Sequence, residues 1–285
     1  MSRLRIKKRK HPFLYFYRIV LHVMLGLGAI VFIFPFIWML LSSLMTNQEI
    51  TASPITLFPG SFFLGNFKTV FEEIPIGRAW FNSLFTSGLV TFFVLFTSSL
   101  SGYMFAKMRF RGNNSLFTLV LSSLLFPTHV VLIPLFLIVS RMKLIDSYIG
   151  IILPFLISGF GVFLLRQFIY GIPTELIEAA RIDGASDWRI YFRVIIPLVK
   201  PAIAVVGILT FLWTYDEFLW PLVVVNKTEM MTLPLILGRY AMAEGGVVAG
   251  ASMATTTLVL APVLIVYVFF QRFFVKGISM TGMKG

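Results

Sequence analysis

The chain has 285 residues, 58% of them hydrophobic and only 13% charged, with 31 Phe, a mean hydropathy of +0.90 and a formal charge of +12. A soluble domain of this length has too little interior to hide so much apolar surface, so the expected solvent is a bilayer. The lack of Cys excludes a disulfide framework, a thiolate nucleophile and a Cys-based metal site.

The basic run from Arg3 to Lys10 reads as a topogenic anchor on anionic headgroups. It does not read as a nucleic-acid arm, because the positive excess sits beside apolar tracts. The apolar stretch that follows is too long for a secretory leader and lacks a small-x-small cleavage site, so it is expected to be retained. Charge-free tracts run 19–48, 79–106, 112–140, 147–165 and 245–271, and a sixth, 201–226, is interrupted only by Asp216 and Glu217. About 20 apolar residues at roughly 1.5 Å rise cross the hydrocarbon core. Six spanning helices are therefore expected, near 19–45, 79–105, 114–140, 149–170, 201–225 and 249–274. A basic N-terminus (1–18), a transmembrane domain (19–275) and a short tail (276–285) make up the expected organisation. Eighteen of the 24 Lys and Arg fall in 1–18, 106–115, 166–200 and 272–285, so those segments and both termini are expected on the cytoplasmic side.

Along the chain, Pro35 should kink the first span. The second opens with Asn82-Ser83 and is rich in Ser, Thr and Gly, which let helix backbones approach closely. His129, between Pro127 and Pro134, reads as a helix-packing donor, with a ligand role as the alternative. His11, His22 and His129 lie far apart and none belongs to an HExxH pattern, which excludes the zinc-protease reading.

The polar island 171–200 is the most informative stretch. Pro173 suits a first helical position. Glu175 and Glu178 then face the positive end of the helix dipole, Ala179 and Ala180 offer a flat surface, and Gly184 is the expected stop. Ser186 can cap a second helix, with Asp187 in its first turn. Trp188, Tyr191, Phe192 and Ile195 follow at helical spacing as one apolar face, until Pro197 and Pro201 break the pattern. Two short helices joined by a glycine elbow are expected. Four acids (Glu175, Glu178, Asp183, Asp187) argue against a segment lying on anionic lipid, the alternative for a basic amphipathic stretch.

Glu178-Ala179-Ala180, Gly184 and Pro197 have the spacing of the EAA loop and resemble that of ABC-importer permeases; Asp183-Gly184-Ala185 resembles the carbohydrate-importer version. Val194 and Ile196 stand where the family has Ile and Leu. Further segments are similar to maltose-type (MalG-like) permeases, among them 35–43, Asn82-Ser83-Leu84, 102–112, 133–135, 217–222, 232–235 and the tail ending in Met283-Lys284-Gly285, so the likeness covers almost the whole chain. It implies an all-α polytopic membrane protein with the type I importer fold, in the cytoplasmic (inner) membrane. Its implied function is that of one permease subunit of a binding-protein-dependent sugar importer moving a di- or oligosaccharide; a glycerol phosphate or polyol is the alternative cargo. The implied partners are a second related permease, an ATPase dimer and an extracytoplasmic sugar-binding protein, the last meeting loops 46–78 and 226–248. The coupling site is expected at Glu178, Ala179, Ala180, Asp183, Gly184, Ala185, Trp188, Phe192 and Pro197. No Gly-x-x-x-x-Gly-Lys-Ser/Thr loop occurs, so no cofactor is expected here, and ATP and Mg belong to the partner.

Asp216 and Glu217 are carboxylates in an apolar tract, which is costly unless they face water, a cation or a partner helix. With Trp213 and Tyr215 they are candidates for the translocation pathway, although the family usually has an amide near position 216. Trp213, Tyr215 and Trp220 suit either sugar stacking or anchoring at the membrane interface. A secondary carrier using Asp216 and Glu217 is the competing class, which the lack of an inverted repeat opposes. An intramembrane enzyme ranks below it, for want of any nucleophile constellation.

Overall fold

Among the described residues of the computed structural model, three helices are long and apolar enough to cross a bilayer: Phe16–Ser42, Ile76–Lys107 and Ala249–Phe269. Residues 12–54, 56–241 and 249–281 are described. The Arg3–Lys10 run, Gly245-Gly246 and the Met283–Gly285 end lie outside them. Every regular element among the described residues is helical. In order they are α1 (Pro12–Ser42), α2 (Asn47–Ile50), α3 (Gly65–Glu73), α4 (Ile76–Lys107), α5 (Asn113–Ser123), α6 (Leu132–Arg141), α7 (Tyr148–Ile152), α8 (Gly159–Tyr170), α9 (Thr174–Ile182), α10 (Asp187–Ile190), α11 (Ile196–Leu198), α12 (Lys200–Tyr215), α13 (Leu219–Val224), α14 (Leu233–Ala241) and α15 (Ala249–Thr281).

The other expected spans are broken helices. Tyr148–Phe155 and Gly159–Tyr170 meet at 45°, and Asp187–Leu198 and Lys200–Tyr215 at 79°. The tract 114–140, expected as one helix, is α5 and α6 with a 3-10 turn, Thr128–Val131, between them. Pro127 is extended there, at φ −61° and ψ 128°, and offers no N–H to continue the ladder. The tract 201–225 ends its helix at Tyr215 and restarts at Leu219, which places Asp216 and Glu217 in a break and not inside a helix.

The described residues divide into two compact units, those within 12–69 with 249–257, and 70–241 with 258–281. In the first, the buried Asn66 side chain donates to the carbonyls of Ser43 (2.9 Å) and Met45 (2.8 Å), two of the groups left open where α1 ends. Thr46 and Glu49 form a reciprocal capping box on α2, and Glu49 Oε1 also accepts the Gly60 N–H at 2.9 Å. Those N–H groups, of Thr46 and Gly60, hold the Glu49 carboxyl below its usual range. Gly250 donates to Asn47 Oδ1, and a Cβ there would sit 2.5 Å from the Asn66 amide, so only glycine fits.

In the second unit, α4 packs along α8 through paired small residues. A Cβ on Gly102 would lie 3.0 Å from the Arg166 nitrogen, and one on Gly161 would lie 2.5 Å from Ser98 Oγ. Backbones this close gain dispersion contacts where no hydrophobic force acts between helices. The hydroxyls of Thr86, Ser87, Thr91 and Ser99 donate to carbonyls three or four residues earlier on α4, which leaves few bare polar atoms in an apolar setting.

Two of the proline breaks are sealed by aromatic donors. In an α or a 3-10 ladder the N–H of residue 154 would serve the carbonyl of Gly150 or Ile151, but residue 154 is proline. The Trp220 indole N–H fills the vacancy, 3.1 Å from each carbonyl, on a side chain only 2% exposed. Pro262, inside α15, strips the Leu258 carbonyl of its α donor in the same way. Trp80 Nε1 donates to Leu258 O at 3.1 Å and the Tyr215 hydroxyl to Val259 O at 2.9 Å. Trp220, expected at a sugar or an interface, is buried instead because Pro154 created an acceptor for it.

Candidate functional site

The island 171–200 folds as two helices and an elbow, and the two termini that meet at the elbow are closed by its own residues. Pro173 is the N-cap of α9 at φ −55° and ψ 132°, one position before its expected place, because the residue retains an extended ψ. At the far end Gly184 adopts φ +76°, its N–H donates to Arg181 O at 3.0 Å, and the Ala185 N–H donates to Ala180 O at 2.9 Å. That pair of bonds is a Schellman closure, which needs the left-handed residue that glycine supplies without strain. Ser186 Oγ accepts the Arg189 N–H and caps α10, with Asp187 in its first turn. Asp187 reaches back across the elbow to Arg181 at 3.0 Å; both side chains are exposed, so the pair orients the elbow more than it stabilises it.

The expected single face of Trp188, Tyr191, Phe192 and Ile195 is divided in two. Tyr191 and Ile195 are buried together with Ile190, while Trp188 and Phe192 are more than half exposed and stack on each other at 6.1 Å and 19°. Between α10 and α11 the backbone widens into a π-turn, Tyr191–Ile195, which closes from Ile196 N–H to Tyr191 O. A wider turn rotates later residues away from the 3.6-residue period, so one stripe becomes an inner and an outer one. Pro197, exposed just beyond, has no N–H with which to restore the α ladder.

The inner stripe is continuous with the core of the membrane helices. Ile177, Ile190, Tyr191, Ile195 and Val199 join Val90, Val94 and Tyr103 of α4 and Leu165 and Ile169 of α8 in one cluster, with Ala180 and Ala185 packed against it. The Tyr191 hydroxyl and Ser99 Oγ of α4 share a 2.6 Å hydrogen bond. Lys107, in the last turn of α4, donates to Tyr170 O (3.2 Å), Ile172 O and Thr174 Oγ1 (3.4 Å), where α8 ends and α9 begins. The outer surface carries Leu176, Glu178, Ala179, Ile182 (87% exposed), Asp183, Trp188 and Phe192. Of the expected coupling residues, Glu178, Ala179, Asp183, Gly184, Trp188, Phe192 and Pro197 are exposed, whereas Ala180 and Ala185 are half-buried. Sequence reasoning passed over Leu176 and Ile182, whose apolar side chains at a spacing of six flank Ala179 on the polar side of α9. No sequence signal marks Lys107 or Ser99, which lie far away along the chain.

The second group does not converge. Trp213 is exposed and meets the Phe160 ring edge-on at 5.5 Å, whereas Tyr215 is 2% exposed and bound to Val259. Asp216 is the exposed C-cap of α12. Glu217 is half-buried and its Oε1 accepts the Trp220 N–H at 3.0 Å, where it holds the start of α13. His129 is exposed on its 3-10 turn.

The opposite end of this unit is held by long-range polar bonds. Asn82 Nδ2 donates to Glu229 O and Met231 O, both at 2.8 Å, while its Oδ1 accepts the Tyr148 hydroxyl at 2.7 Å. Ser83 Oγ accepts the Leu233 N–H at 2.8 Å. The Asn82-Ser83 pair thus fastens the segment 229–233 to α4. Nearby, Asp146 sits at φ 57°, donates its N–H to Val224 O, and accepts the Asn226 and Lys227 N–H groups on its carboxylate. Burial alone would raise its pKa, but those two donors outweigh burial and hold the carboxyl below its ordinary value.

Residues 98–280 match the family model described as the binding-protein-dependent transport system inner membrane component. The chain is 36% identical over 284 residues to the arabinooligosaccharides transport system permease protein AraQ of Bacillus subtilis, covering 97% of this chain and 99% of that one. It is 33% identical over 264 residues to the sn-glycerol-3-phosphate transport system permease protein UgpE of Pectobacterium atrosepticum, covering 90% and 94%. Its fold matches a solved chain of a bacterial ABC transporter involved in the import of the acidic polysaccharide alginate, with TM-score 0.82, 24% identity, and coverage of 91% and 97%. An all-helical integral membrane chain with this elbowed loop, matched along most of its length, is a member of the family of inner-membrane components of binding-protein-dependent transport systems, and so a permease subunit of an ABC importer.

Proposed function

We propose that this chain forms half of the translocation pathway of an ATP-driven sugar importer in the cytoplasmic membrane, with an oligosaccharide as cargo. The loop Thr174–Pro197 is its docking knob for the ATPase. The observation that carries this reading is the two-sidedness of the loop. Its inner stripe is part of the core of α4 and α8, and its outer surface exposes Leu176, Ile182, Trp188 and Phe192 around Glu178 and Ala179. An apolar knob exposed on a segment with many basic neighbours suits a protein groove on the cytoplasmic side. A groove that closes on it would move α4 through Tyr191–Ser99 and Lys107, which is what coupling between ATP and transport requires. ATP and Mg would be bound by that ATPase. The six-span topology with both termini inside, a second related permease across the pathway, and an extracytoplasmic binding protein complete the proposed assembly.

Oligosaccharide cargo is favoured by the likeness to an arabinooligosaccharide permease; the likeness to a glycerol-3-phosphate permease supports the second reading. Uptake by the reconstituted importer, with its binding protein, against a panel of oligosaccharides and glycerol 3-phosphate decides between them. Co-purification with an ATPase, lost on Trp188→Glu with Phe192→Glu, tests the knob. A complex that survives both charges would refute it.

A further inference from the structure

A small cavity lies in the second unit, lined by Thr86 and Val90 of α4, Ile151, Ile152, Phe155, Thr214, Glu217, Pro221 and Thr232. It offers about 10 Å³ to the centre of a water molecule, the space one water needs. Thr232 is 4% exposed, and its Oγ1 is a buried hydroxyl without a hydrogen-bond partner. The other polar groups of the lining still have capacity to accept. Thr86 Oγ1 uses its proton on Asn82 O and Thr214 Oγ1 on Thr210 O, both at 2.8 Å, which leaves lone pairs on each oxygen. Glu217 commits Oε1 to the Trp220 N–H and has Oε2 for a second donor.

The geometry points to a bound water in this cavity that bridges Thr232, Glu217 and the threonines of α4 and α12. The water oxygen accepts the Thr232 hydroxyl proton. Its own two protons go to Glu217 Oε2 and to the lone pair of Thr86 or Thr214. Three to four partners are what buried waters usually have. The bridge ties the break after α12 to α4 and to the segment leading into α14. It also explains how a carboxyl group stands at a helix break in an apolar tract: one side holds the start of α13 and the other meets the bound water. Glu217 is then a positioning residue for three elements and not a contact for cargo.

The sign of one substitution separates a filled cavity from an empty one. Were the cavity empty, Thr232→Val would replace an orphaned hydroxyl by a methyl group and would leave stability unchanged or raise it. With the water present, the same change severs the bridge. The expected result for the importer complex purified in detergent is a melting temperature lower by about 2–4 °C for Thr232→Val, near wild type for Thr232→Ser, and a smaller Thr232→Val loss in a Glu217→Gln background. High-resolution density in the wild-type protein should show one water within hydrogen-bond distance of Thr232 Oγ1 and Glu217. An empty cavity, a Thr232→Val protein as stable as wild type, or anomalous density there after exchange of sodium for rubidium would each overturn the assignment.

Discussion

Trp220→Phe tests whether aromatic donors seal the proline breaks. The substitution keeps an aromatic ring in a site only 2% exposed and removes the indole N–H shared by Gly150 O and Ile151 O, each 3.1 Å away. Both residues are buried, and the water proposed beside Ile151 has its protons on Glu217 and a threonine, so these carbonyls have no ready second donor. Leaving a buried acceptor unmet costs about 1–3 kcal/mol, to which the smaller ring adds a packing loss. The two terms separate in a double-mutant cycle with Pro154→Ala. Alanine restores the N–H that the ladder lacks, so in that background Trp220→Phe should cost the packing term alone. The expected coupling is roughly 1–2 kcal/mol, measured by reversible unfolding in mixed micelles of detergent and denaturing surfactant. A coupling under about 0.5 kcal/mol would mean that the carbonyls find other partners when the indole is gone, and the reasoning would fail. The Trp80, Leu258 and Pro262 set provides an independent second cycle of the same design.

Gly184→Val places a β-branched residue at φ +76° where nothing lies within 4 Å, so the cost of about 1–2 kcal/mol is conformational and the protein should still insert; membrane level should be normal and uptake lost, with Gly184→Asn milder, and wild-type uptake by the Val variant would remove the elbow's role. Lys107→Met deletes three donors to the junction of α8 and α9, so uptake should fall several-fold and ATP hydrolysis should cease to track the binding protein, with partial rescue by Lys107→Arg; an unchanged ratio of transport to hydrolysis refutes a part in coupling. Asp146 has its pKa lowered in the folded protein, so its contribution is complete at neutral pH, declines as pH falls through the ordinary carboxylate range and is gone below its folded pKa. Thermal melts should therefore show Asp146→Asn destabilised at neutral pH and converging on wild type in acid; a constant gap across that range would contradict the assignment.

What was legible in the sequence was whatever is decided within a few residues. Gly184 as stop and Ser186 as cap are local chemistry, and both geometries are present because no distant contact competes with them. The Ser-, Thr- and Gly-rich face of α4 was legible as close packing, and Gly102 and Gly161 sit at that approach. The Trp188–Ile195 stripe was not legible, since a helical period assumes an α ladder and the π-turn before Pro197 breaks that assumption. Continuous spans at 114–140 and 201–225 failed for a related reason: hydropathy measures solvent preference, and a broken helix is as apolar as an intact one.

The aromatic residues show what a corrected reading would use. Trp220 lies 70 residues from Gly150 and Trp80 lies 178 from Leu258, so neither pairing is visible in any window along the chain. Yet each acceptor is marked in the sequence, because a proline within a spanning helix frees the carbonyl four residues before it, or in a 3-10 turn the one three before it. In a medium without water those carbonyls select for a Trp, Tyr or hydroxyl donor from another helix. An aromatic with a polar edge in such a chain should therefore be assigned first to a proline break, and to cargo only if every break is already closed. By that rule Trp220 is committed to Pro154 and Trp80 to Pro262, while Tyr215 is held beside it on Val259. Trp213, exposed beside Phe160, is the member of the expected trio that closes neither break.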